Sequence, residues 1–212
     1  MTASPNQVTP IGMQTLGLSS ESKRSDGWLK SLLWPSVENA WDVDYLGQQG
    51  MWICTLVAAA SLSTLAVTGM PVMILAGLLA AAFYLLGGMG VREGSWMAAA
   101  LVLAVYLLNV FSGIVMLRMP NIFTILFSVV LVSNLRATIL ASQWRPAAED
   151  EDRPMRFSES WADKYIDQLP RKWWPRLQLV FLVLGVTMML FSLAGLGWAL
   201  AVRFKVLPLP KS

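Results

Sequence analysis

Residues 46–88 read LGQQGMWICTLVAAASLSTLAVTGMPVMILAGLLAAAFYLLGG and contain no Asp, Glu, Lys, Arg or His. As one helix, about 40 residues would extend roughly 60 Å at 1.5 Å each, twice the ~30 Å hydrocarbon core of a bilayer. The stretch therefore has to turn. Gly69-Met70-Pro71 supplies the place, because proline favours the first turn of the following helix. The reading is two antiparallel spans, over about 46–68 and 71–88.

Working outward, the same pattern recurs. Gly87, Gly88, Gly90 and Gly94, with Arg92 and Glu93, connect to a third apolar run over about 95–117. Arg118-Met119-Pro120-Asn121 turns the chain into a fourth run that ends near 141, and a fifth covers about 177–202. The predicted fold is an all-α membrane protein: a bundle of five transmembrane helices with short interfacial amphipathic helices. None of these five apolar runs holds an Asp, a Glu or a His.

The flanks complete the expected organisation. Residues 1–25 are polar and proline-marked, which predicts a disordered tail. Residues 26–45 read as an interfacial or cytoplasmic segment, with Trp28, Leu29, Leu32 and Leu33 on one face of a short helix. Residues 46–141 form a four-span bundle of two hairpins. Residues 142–175 form a charged cytoplasmic segment with the acidic run 149–152. An amphipathic helix is expected within it over 158–169, opened by the capping-box spacing of Ser160 and Asp163 and ended by Pro170. Residues 176–212 carry the fifth span and a short tail. The polar N-terminus is unlike a secretory leader, so the first span is expected to act as an uncleaved signal-anchor.

Composition agrees. Of 212 residues, 56% are hydrophobic and 14% charged, against about 25% charged in a soluble domain. Basic residues are distributed unequally between the two sides that the spans define. Eleven fall on one side (Lys23, Arg24, Lys30, Arg92, Arg145, Arg153, Arg156, Lys164, Arg171, Lys172 and Arg176) and four on the other (Arg118, Arg203, Lys205 and Lys211). The positive-inside rule then predicts a cytoplasmic N-terminus and an outside C-terminus, in a bacterial cytoplasmic (inner) membrane. Net charge of +3 reads as topology, and no nucleic-acid partner is implied.

Chemistry is thinly represented. Without histidine, Ser-His-Asp, Cys-His and histidine-ligated metal or haem sites are excluded. No span holds a carboxylate pair or a lysine, and no phosphate-binding glycine loop is present. No catalytic residue, cofactor or metal is expected, and Cys54, the only cysteine, reads as a small packing residue. The stretch from Phe157 to Pro175 resembles the non-catalytic membrane leaders of some multi-span signal peptidases, but their Ser-Met-x-Pro box is absent.

The candidate intramembrane polar contacts are Tyr106, Asn109, Asn134 and Arg136. Tyr106 and Asn134 lie equally far from the Met119-Pro120 bend, which permits a hydrogen bond between the third and fourth spans. Amides in spans face other helices, because an unpaired polar group in lipid costs several kcal/mol. Asn109 and Asn134 are accordingly expected to hold these two spans together. Arg136 has no acid within any span, and its stem is expected to snorkel toward headgroups. Arg171, Lys172, Trp173, Trp174 and Arg176 have the composition of an interfacial anchor at an anionic cytoplasmic surface.

Small residues four apart, at Gly77/Ala81, Ala100/Ala104 and Gly195/Ala199, suit close helix packing within the bundle, against itself or against another membrane protein. Two functions follow as expectations. The first is a non-enzymatic accessory, scaffold or assembly subunit. The alternative is a small carrier or channel component with a polar track between spans 3 and 4. A wet cavity at Tyr106, Asn109, Asn134 and Arg136 would favour the carrier, and dry contact the scaffold.

Overall fold

The computed structural model describes residues 33–37, 40–143 and 160–204. The N-terminal tail, most of the expected interfacial helix and the acidic run at 149–152 lie outside them. Among the described residues there are five long helices and no strand: α1 (Ala40–Ala66), α2 (Pro71–Arg92), α3 (Trp96–Val115), α4 (Ile122–Gln143) and α5 (Trp161–Arg203). Each is long and apolar enough to cross a membrane. The protein is a multi-pass helical membrane bundle.

The turns follow local chemistry. Gly69 (φ 70°) and Gly94 (φ 72°) take the left-handed conformation that closes α1 and α2, a region costly for residues with a Cβ. Pro71 opens α2, and Ser95 caps α3 by accepting a bond from the Ala98 N–H. At the end of α3 the same left-handed position is held by Leu117 (φ 60°), with the Arg118 N–H bonded to the Gly113 carbonyl at 2.9 Å.

Two boundaries differ from expectation. The first helix begins at Ala40, ahead of the expected 46, and takes in Asp42 and Asp44. The second difference concerns Pro170, which does not end a helix. Ser160 and Asp163 do form the capping box, each side chain bonded to the other's backbone N–H at 3.1 and 2.9 Å. The helix they open then runs on for 43 residues to Arg203. A π-helical turn at Lys164–Gln168 precedes Pro170, so the Leu169 N–H bonds five residues back to Lys164. Widening the helix there relieves the clash that a proline ring makes with the preceding turn. At about 64 Å, such a helix is twice the hydrocarbon thickness, so the expected amphipathic helix and fifth span are one element.

α1 and α2 form the most extensive pair, α5 packs against α2 and α3, and α4 packs against α1 and α3. The core sits where α2 meets α3 and α5. Phe83 stacks on Phe181 at 5.5 Å and lies edge-on to Tyr84 at 5.1 Å. Glycines on α2 make this approach possible. A Cβ on Gly88 would press on Met51 and Cys54, one on Gly87 on Val102, and one on Gly90 on Trp174 and Ala98.

Candidate functional site

The two ends of the bundle differ in charge. At one end, the fully buried Arg92 at the close of α2 is held by two carboxylates from other helices. Its Nη1 and Nη2 donate to the two oxygens of Asp44 on α1, Nη2 at 3.1 Å, and Nη1 also reaches the Asp44 carbonyl at 3.2 Å. Nη2 donates to Asp167 Oδ1 on α5 at 2.5 Å. A buried guanidinium requires such partners, because desolvating it alone costs several kcal/mol. Tyr165, two residues earlier, shares a 2.7 Å hydrogen bond with Thr55 and stacks on Trp161. The start of α5 is thus tied to both α1 and α2.

Asn134 and Arg136 lie toward this same end, and neither meets Tyr106. Asn134 is buried and donates to the Leu46 carbonyl of α1 at 2.5 Å, its carboxamide lying where any Cβ on Gly50 would stand. Arg136 donates to the Pro35 carbonyl at 3.3 Å and lies 5.2 Å from the centroid of the Trp34 ring. A carbonyl and an aromatic face thus substitute for the absent carboxylate.

Tyr106 and Asn109 belong to the opposite end. The Tyr106 hydroxyl donates to the Thr124 carbonyl of α4 at 3.4 Å. Asn109 donates to Val105 in its own helix at 2.8 Å and to Ser192 Oγ on α5 at 3.2 Å. The expectation that Asn109 and Asn134 join spans 3 and 4 is therefore corrected. One asparagine reaches the fifth span and the other the first, while Tyr106 bridges the third and fourth.

Between the α1–α2 and α3–α4 hairpin tips opens a cavity of about 640 Å³, lined by Val57, Ser61, Thr64, Tyr84, Tyr106, Asn109, Gly113, Arg118, Thr124 and Met188 among others. A second cavity of about 440 Å³ lies between α3 and α5. The two flank α3 and border the same Asn109, Gly113, Arg118 and Met188, forming a pair of lobes around that helix, together the cleft. Volumes of this size suit a small-molecule site. No acidic residue occurs between 94 and 148 or after 167, so nothing on these segments neutralises Arg118.

The anchor residues separate. Arg171, Lys172, Trp173 and Arg176 are exposed. Trp174 turns inward, 5.5 Å from the Phe181 ring and against Gly90, so it is a packing residue. Sequence reasoning misses the Asp44–Arg92–Asp167 cluster, because all three stand outside the apolar runs: Asp44 in the interfacial segment, Arg92 in a connection and Asp167 in the amphipathic helix. The available clue was that a span-terminal arginine and two acids preceding other spans all fall at one end of the bundle. Compared with protein families, with curated proteins and with solved structures, the chain matches none.

Proposed function

We propose that this is a non-enzymatic membrane protein that binds a ligand in a one-sided cleft, a carrier-type or ligand-binding accessory component. The observation carrying this reading is the cleft itself. Tyr106 and Asn109 line it, and Asn109 is not covered by protein there although it lies within an apolar span. Toward the other end, Phe83, Tyr84 and Phe181 fill the space and the Arg92 cluster ties three helices together. That arrangement supports a binding chamber open to one side and not a continuous pore. Asn134 and Arg136 stand outside it, so the polar track of the carrier reading is shortened to its Tyr106–Asn109 half. The scaffold reading loses support from Gly77, whose face is occupied by Leu62 and Leu65 of α1.

In this proposal the Arg92 end faces the cytoplasm and the Arg118 end the outside of a bacterial inner membrane, as the basic-residue bias favours. The test uses a Cys54→Ala background carrying Asn109→Cys or Asn134→Cys, probed in sealed vesicles with a membrane-impermeant thiol reagent. Labelling of Asn109→Cys from the outside only, with none at Asn134→Cys, is expected. Labelling from both sides would make the protein a channel, and none at either position would make the bundle closed.

A further inference from the structure

We propose that the cleft seats one anionic two-chain phospholipid from the leaflet at the Arg118 end, its phosphate on Arg118 and one acyl chain in each lobe. This deepens the cleft-binding reading and rests on it. Three observations converge. The lobes lie on either side of α3 and both border Arg118, so a headgroup held there has one lobe on each side of the helix for its two chains.

Polar groups around the cleft are largely engaged within the protein. Tyr106 bonds to Thr124, Ser112 to the Leu108 carbonyl, and the Thr124 hydroxyl to Asn121. The interior therefore offers little to a hydrophilic solute and much to hydrocarbon. At the rim the charge is one-signed: Arg118 is exposed and has no carboxylate partner among the described residues. A guanidinium so placed selects a phosphate, which it can engage through two parallel bonds. The Asn109 amide nitrogen, like the polar groups above, is committed within the protein, donating to the Val105 carbonyl and to Ser192 Oγ.

The test is photo-crosslinking in phosphatidylcholine vesicles that contain trace photoactivatable phosphatidylglycerol, phosphatidylcholine or palmitate. Labelling is read at the α5 peptide carrying Met188. Gly113→Leu fills space that borders both lobes, since the only atom near its Cβ position is Arg118 Cβ at 3.9 Å. Gly195→Leu fills the second lobe, where nothing lies within 4 Å, and serves as an independent blocking variant.

Phosphatidylglycerol is expected to label about fivefold more than phosphatidylcholine, the preference that one basic residue confers. Arg118→Gln should abolish that preference, and both leucine variants should remove the labelling while remaining folded. Equal labelling by all three probes, still blocked by Gly113→Leu, would overturn the lipid assignment and leave the cleft reading standing. Labelling unchanged in both leucine variants would overturn the two together.

Discussion

Asp167 Oδ1 stands 2.5 Å from Arg92 Nη2, a contact between residues 75 positions apart that joins the last helix to the second. With Asp44 it makes one buried cation the meeting point of α1, α2 and α5. Replacing Arg92 by Gln removes the cation from Asp167, which is buried, and from Asp44, which is partly exposed. Breaking a buried pair in this way costs about 3–5 kcal/mol. Thermal unfolding in mild detergent should drop accordingly, and adding Asp44→Asn and Asp167→Asn to an Arg92→Met variant should recover much of the loss. No recovery in the triple variant would mean that Arg92 acts through something other than its charge.

Trp173 and Trp174 are neighbours in sequence and opposites in role. Trp174→Ala should destabilise by about 3–5 kcal/mol, the usual cost of emptying a packed aromatic site. Trp173→Ala removes an exposed ring and should change stability by about 0.5 kcal/mol or less. Denaturation of the two variants side by side checks this, and equal losses would return Trp174 to the interface.

Asn134→Ala removes the bond that ties α4 to the Leu46 carbonyl. Intramembrane hydrogen bonds contribute about 0.6–2 kcal/mol, so a modest fall in unfolding temperature is expected. Gly50→Ala should be worse, because its Cβ would collide with the Asn134 carboxamide and with Val91. Combining it with Asn134→Ala should return part of that loss, which a double-mutant cycle would read directly.

Leu117 holds a left-handed backbone that costs a residue with a Cβ about 1–2 kcal/mol. Leu117→Gly should therefore leave stability unchanged or raise it by about 1 kcal/mol, measured by thermal unfolding. If stability falls instead, contacts of the Leu117 side chain outweigh the strain.

Much of the bundle was legible because hydropathy and turn chemistry act locally. The spacing of Gly69, Pro71 and Gly94 marks the ends of helices that lipid requires to be about 20 residues long. Two boundaries were illegible for a shared reason. The apolar run begins at 46, but the helix begins at Ala40 and takes in Asp44, which Arg92 compensates. Pro170 looked like a stop, and the π turn before it lets the helix proceed. Both depend on contacts or backbone geometry set by distant chain. The candidate polar residues were found, but their partners were not, since Asn109 and Asn134 each chose a helix that equal-depth reasoning on one hairpin could not reach.

The Arg92 cluster also dictates an order of events during synthesis. Asp44 precedes Arg92 on the nascent chain, so the first hairpin can enter the bilayer with its cation half-matched. At about 5–20 residues per second, the ribosome needs roughly 4–15 s more before Asp167 emerges. Through that interval the α1–α2 hairpin waits with an incomplete ionic seal, the α3–α4 hairpin inserts beside it, and only the arrival of α5 closes the assembly. A chain stopped before residue 160 would therefore hold four spans with Asp44 and Arg92 but without Asp167, the third member of the cluster.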